Sequence, residues 1–182
     1  MGGKMFDEDY NVVELLDLIS GSIKTIDIFH HEIHLGDIQS YTKIHTIANE
    51  GAQTIAFTVG SNSIHLKPGS FISGFGRITF SLQEGATITG GNVVPSYNRN
   101  RNSIKTSSTV IKEGVTVSVA GTFIDYDYIG GSSTTGGKGA GDNSQTNDEW
   151  VLKPNTNYVF TITNNSGAES KVLTKIIFYE GE

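Results

Sequence analysis

The sequence predicts an all-β domain, an antiparallel β-sandwich or jelly roll carrying a short N-terminal helix or arm. Three observations lead there. Runs rich in Ile, Val, Thr, Phe and Tyr recur from about Thr25 onward. Turn signals separate them at short spacing with no helical stretch between, which argues against a parallel α/β sheet. Charged residues reach only 18% and Gly supplies 22 of 182 positions. The balance has gone to small polar residues, which favour turns and pleated surfaces over helices.

In chain order, residues 1–24 read as an N-terminal arm or short helix, and residues 25–182 as one sandwich domain. Helical periodicity is confined to Asp9–Ile19, where Val12, Val13, Leu15, Leu16, Leu18 and Ile19 crowd one side against Glu14 and Asp17. Asp7, Glu8 and Asp9 suit a helix start, and Gly21 a C-cap. Docked on a neighbouring subunit, such an arm would cover its apolar side; otherwise it lies on its own domain. An alternating run from Ile26 and Ile28 through Ile33 and Leu35 reads as the first strand. Thr54–Val59, Phe71–Leu82, Thr109–Val119, Thr122–Tyr128, Tyr158–Thr163 and Lys171–Tyr179 follow. Breaks are expected at Gly36-Asp37, Asn49-Glu50-Gly51, Gly60-Ser61-Asn62, Pro68-Gly69, Glu84-Gly85, Glu113-Gly114 and Asn164–Gly167. A Gly/Ser-rich loop at 130–143 has no composition for a core and reads as an interface or displayed loop.

Thirteen Lys and Arg against nineteen Asp and Glu give a net charge of −6. That argues against nucleic-acid binding as the main activity. The absence of cysteine excludes disulfides, thiolate metal sites and cysteine nucleophiles. No apolar stretch is long enough to span a membrane. The N-terminus lacks the apolar region of a signal peptide, so synthesis in the cytoplasm is expected.

Candidate chemistry is sparse. Gly137-Lys138 is followed by Gly139 and preceded at the critical position by Ser132, so the Walker spacing fails. His30-His31-Glu32-Ile33-His34 is one residue short of a zincin motif. On a strand, His30, Glu32 and His34 would share a face. A polar strand face is the preferred reading over a metal site, because further ligands are missing. Asp125 and Asp127 would sit side by side rather than flank a glycosidic substrate. Tyr126, Tyr128 and Trp150 leave carbohydrate binding open. No catalytic residue, cofactor or metal ligand is expected, and the chain is expected not to be an enzyme.

The most distinctive segment is Pro95-Ser-Tyr-Asn98-Arg99-Asn100-Arg101-Asn102-Ser103. If extended, Arg99 and Arg101 point one way and Asn98, Asn100 and Asn102 the other. Two guanidiniums on one face suit carboxylates of a neighbouring subunit. The competing reading is a solvated loop held by its own Asn side chains.

His31–Gly36, Asn98–Ser103, the Gly/Ser loop and Glu149-Trp150-Val151-Leu152-Lys153-Pro154-Asn155-Thr156-Asn157-Tyr158 together resemble a family of small tailed-bacteriophage virion structural proteins. These are usually described as head decoration, cement or minor structural proteins. The similarity runs from roughly Ile26 to Tyr179. It implies a β-rich oligomeric virion component, most simply a capsid decoration protein on the outer head surface. Its expected partners are the major capsid protein and other copies of itself, as a homotrimer, with neither nucleic acid nor membrane involved. Arg99, Arg101, Asn98 and Asn100 are the expected subunit contacts, with Leu15, Leu16 and Ile19 on an anchoring arm. The alternative is a receptor- or glycan-binding module of a tail fibre or baseplate.

Overall fold

A computed structural model describes residues 4–6, 12–14, 28–73, 77–129 and 149–180. Thirteen strands and one helix are present among them. β1 (Lys4–Phe6) and β2 (Val12–Glu14) pair antiparallel as a small ribbon of their own. The helix expected over Asp9–Ile19 is therefore not what Val12–Glu14 forms, as its adjacent β-branched valines favour. Leu15, Leu16 and Ile19 lie outside the described residues, as does the loop at 130–143.

α1 (Ile28–Leu35) replaces the expected first strand. The alternation that suggested a strand slips between Ile28 and Ile33. Ile28/Phe29 and Ile33/Leu35 sit at helical spacing instead. The chain then continues through β3 (Ile38–Ile47), β4 (Ala52–Thr58), β5 (Ile64–Ser73), β6 (Ile78–Glu84), β7 (Thr87–Val94) and β8 (Tyr97–Asn98). It ends with β9 (Val110–Val119), β10 (Thr122–Ile129), β11 (Trp150–Leu152), β12 (Asn157–Asn164) and β13 (Ser170–Glu180). The run expected as one strand over Phe71–Leu82 is divided between β5 and β6. Pro68-Gly69 falls inside β5, where residues 68–70 bulge opposite Ile176. That is where a proline, with no amide to donate, is tolerated in a sheet.

Two antiparallel sheets form the body. One has the order β10-β6-β12-β4-β9-β7, the other β11-β5-β13-β3-β8. From β3 to β6 the chain switches sheet at every strand, and it does so again from β10 to β13. The expected all-β sandwich is thus the observed class.

Alternation along the strands builds the core. Ile55 and Phe57 of β4, Tyr158, Phe160 and Ile162 of β12, and Ile78 and Leu82 of β6 face Tyr41, Ile64, Val172, Ile176 and Phe178 of the other sheet. Phe57 meets Phe160 edge-on at 5.1 Å within its sheet and Phe178 at 5.9 Å across the gap. Each such ring buries a large apolar area and carries a geometric preference, so this cluster holds the two sheets in one relative placement. A second cluster, Ala56, Ala86, Val115 and Val159, lies on the outer face of the six-stranded sheet. There the β7–β9 ribbon folds over β4 and β12, and Thr54 Oγ1 donates to the Val115 carbonyl at 2.7 Å.

Candidate functional site

The distinctive segment and the new helix form one unit. α1 ends at Gly36, whose φ of +80° suits a residue without Cβ. The Asp37 amide reaches the Glu32 carbonyl at 3.0 Å and the Gly36 amide the Ile33 carbonyl at 3.1 Å, a Schellman closure. Further carbonyls at this helix end are capped by Asn98, the last residue of β8, and by the loop that follows it. Asn98 Nδ2 donates to the Gly36 carbonyl at 2.6 Å and to the Lys105 carbonyl at 3.1 Å. Asn100 Nδ2 donates to the His34 carbonyl at 2.8 Å.

The same asparagines shape the loop. Asn98 Oδ1 accepts from the Asn100 amide at 2.8 Å, and Asn100 Oδ1 from the Asn102 amide at 3.1 Å. These are Asx turns, in which a side chain imitates the next backbone carbonyl. Lys105 Nζ pairs with both carboxylate oxygens of Asp37, at 2.8 and 3.1 Å. At the far end Glu180 Oε1 collects Ser107 Oγ and the Ser108 amide, both at 2.6 Å, Ser108 Oγ at 3.0 Å and the Thr109 amide at 3.2 Å. The loop is braced at both ends and in the middle.

Its outward side is different. Arg99 and Arg101 are exposed, with the Arg101 guanidinium 5.9 Å from the Tyr97 ring centroid. Ile104 is 97% exposed, Tyr97 just before the loop is 57% exposed, and Leu35 at the end of α1 is 46% exposed. No acidic residue occurs from Asn98 to Ser108, in a chain of net charge −6. Of the expected contact residues, the asparagines therefore serve inside the chain, while the arginines face solvent. Ile104 and Glu180 were missed. A lone isoleucine in a polar stretch was the available signal for the first, and the second had none.

The histidine cluster also changes face. On a helix, His30 and His34 are one turn apart and share a side. Their Nε2 atoms are 2.9 Å apart. Glu32 belongs elsewhere, 3.8 Å from His31. The expected grouping of His30, Glu32 and His34 on one strand face is thus corrected. Among the described residues no group of three or more His, Asp or Glu could hold a metal ion.

Two further polar clusters link strands that are distant in the chain. Between β3 and β9, the Tyr41 hydroxyl donates to Glu113 Oε1 at 2.6 Å and lies 3.1 Å from His45 Nε2, while Lys43 pairs with Glu113 Oε2. Burial holds the His45 imidazole below its usual range, against the pull of Glu113. Burial would raise the Glu113 carboxyl, but hydrogen bonds from Lys43 and Tyr41 outweigh it and hold the group low. On the outer face of the five-stranded sheet, His65 stacks on Tyr179 at 4.5 Å. Both approach Glu149 Oε1, at 2.6 and 2.8 Å.

The Leu152-Lys153-Pro154-Asn155 element is a brace too. The Lys153 amide donates to the Tyr158 hydroxyl at 2.9 Å, and Lys153 Nζ and the Tyr158 hydroxyl both donate to Glu84, at 2.6 and 2.8 Å. The aromatic trio does not assemble. Tyr126 and Tyr128 pair in register with Ser81 and Thr79 on the outer face of the six-stranded sheet, while Trp150 stands opposite Leu66 in the other sheet. Phe123, opposite Gln83, joins the two tyrosines instead, because a bulge between Phe123 and Asp125 restores the face. No helix among the described residues is long and apolar enough to cross a membrane. No family model, curated protein or solved structure matches this chain.

Proposed function

We propose that this chain is a structural protein of a tailed-phage virion, a decoration or cement protein that binds the outer head surface and performs no reaction. The carrying observation is the braced loop from Asn98 to Thr109. It holds Arg99, Arg101 and Ile104 outward on a backbone fixed by Asx turns, the Asp37 ion pair and the Glu180 carboxylate. A surface already ordered loses little entropy on docking. An apolar tip beside guanidiniums is the composition of an interface anchor. Its partner is a coat-protein surface with carboxylates around an apolar recess, which would receive Ile104 while the carboxylates meet Arg99 and Arg101.

We read the strand order, with its switching between sheets, as a jelly roll. A homotrimer would present three equivalent loops at a symmetry axis and multiply individually weak contacts. The test is co-sedimentation of the purified full chain with decoration-free capsids. Wild type should pellet with the shells, and R99E/R101E and I104D should each stay in solution while remaining folded by circular dichroism. Localisation of the protein solely to the tail would overturn the reading.

A second reading, a glycan- or receptor-binding module of the tail, draws on Phe123, Tyr126 and Tyr128. These rings are 64%, 66% and 51% exposed along the edge strand β10. Stacking on sugar rings suits such a row. Binding to host cell-wall glycans that is lost in Y126A/Y128A would favour it over the first.

A further inference from the structure

The pair His30 and His34 satisfies a geometry that the role above does not use. Both lie on the exposed side of α1, one helical turn apart, with rings 4.6 Å between centroids and an interplanar angle of 66°. Their Nε2 atoms are 2.9 Å apart. Imidazoles at i and i+4 on one helix face are a chelating arrangement. Metal–nitrogen bonds are about 2.0–2.1 Å long. Two such bonds hold their nitrogens about 2.9–3.4 Å apart, from a right angle to the tetrahedral angle. The 2.9 Å separation is that of a hydrogen bond and fixes no coordination geometry, but it places both imidazoles within reach of one ion.

We infer that His30 and His34 form a two-imidazole surface chelate for a divalent late transition metal, Cu²⁺ ahead of Ni²⁺ and Zn²⁺. The affinity order of divalent ions at imidazole ligands puts Cu²⁺ first. In the metal-free pair one Nε2 carries a proton and the other accepts it. On binding, that ring carries its proton on Nδ1 instead, and a modest rotation of both exposed rings turns the two lone pairs onto one ion. Water fills the remaining positions, or a donor from an adjoining subunit does. The helix end supports the site from behind: Asn100 and the Schellman closure hold the backbone at His34 in place. Glu32 and His31 are not ligands.

The test uses tag-free full-length protein titrated calorimetrically with Cu²⁺, Ni²⁺ and Zn²⁺ salts. One Cu²⁺ per chain is expected, with Ni²⁺ and Zn²⁺ weaker. The Cu²⁺ electron paramagnetic resonance spectrum should carry coupling to two nitrogens. H30A and H34A should each weaken binding by about tenfold or more, since loss of a ligand costs at least what loss of its outer partner does. H31A should bind as wild type. Absence of binding, a preference for Zn²⁺, or unchanged binding in H30A/H34A would overturn the inference. Circular dichroism on each variant separates loss of the chelate from loss of the helix.

Discussion

Asn98 and Gly36 lie 62 residues apart in the chain and 2.6 Å apart in space, joined by a hydrogen bond from the Asn98 amide to the Gly36 carbonyl. That bond closes the C-terminal end of α1 and anchors the start of the braced loop at once. Asn98 is buried, so its loss leaves the buried Gly36 carbonyl, and the Lys105 carbonyl with it, without that donor. An unmet buried polar group costs about 1–3 kcal/mol. Asn98→Ala is expected to lose that much in urea denaturation. Asn98→Asp should lose at least as much, because a carboxylate would face the two carbonyl oxygens. Amide exchange in residues 28–37 and 99–105 should rise together in both variants. Wild-type stability in Asn98→Asp would show that the carbonyls find other partners.

Glu180 holds the other end of the loop. Its Oε1 accepts from Ser107, Ser108 and Thr109, and bonds to a charged group contribute about 1.5–3 kcal/mol. Glu180→Ala should destabilise by an amount in that range and free the Ser108 and Thr109 amides to exchange. Glu180→Gln keeps an acceptor oxygen and should lose less. Protection of both amides in Glu180→Ala would mean that packing, not the carboxylate, orders the segment.

The sandwich was legible because two-residue alternation survives in its buried strands: Tyr158, Phe160 and Ile162 read inward from sequence as they do in space. The helix at Ile28–Leu35 was not, since eight residues give barely two turns of periodicity. Its decisive support, the capping by Asn98 and Asn100, comes from far along the chain. Ile38–Ile47 escaped notice for a related reason. Its inward positions are Gln39, Tyr41, His45 and Ile47, so polar side chains that find partners inside blur the pattern. In the Asn-Arg-Asn-Arg segment the two competing readings were both half right in geometry. The asparagines turn in to hold the loop, and the arginines turn out, which no spacing rule distinguishes from a strand.

Acid stability should fall in two limbs, both with the same sign. His45 is held below its ordinary pKa of 6.5 by burial, so below that value the unfolded chain takes up the proton more readily. Stability present above pH 6.5 is therefore lost progressively as pH falls toward the folded-state value. Glu113 is held below 4.5, so its contribution is present above pH 4.5 and is lost as pH falls through its lower folded-state value. Denaturant midpoints measured from pH 8 to 3 should show the first decline beginning near 6.5. His45→Gln should abolish that decline while leaving the second. A flat profile between pH 7 and 5 in wild type would contradict the assignment.

Gly90 and Gly91 separate backbone strain from crowding in the ribbon that covers the outer cluster. Both have positive φ, +65° and +82°, so alanine at either site meets the left-handed penalty of about 1–2 kcal/mol. A Cβ on Gly90 would meet nothing within 4 Å, whereas one on Gly91 would fall 2.6 Å from Val115 Cγ1 and 3.0 Å from the Glu113 carbonyl oxygen. Val115 belongs to the cluster with Ala56 and Val159, so it has little room to retreat. Overpacking of this kind adds about 1–3 kcal/mol. Gly91→Ala should therefore lower the thermal midpoint distinctly more than Gly90→Ala. In a Val115→Ala background the crowding atom is gone, and the difference between the two glycine variants should shrink toward the clash with the Glu113 carbonyl alone. Equal losses at both glycines in the wild-type background would show that the ribbon shifts freely over β4 and β12 and does not seal the cluster beneath it.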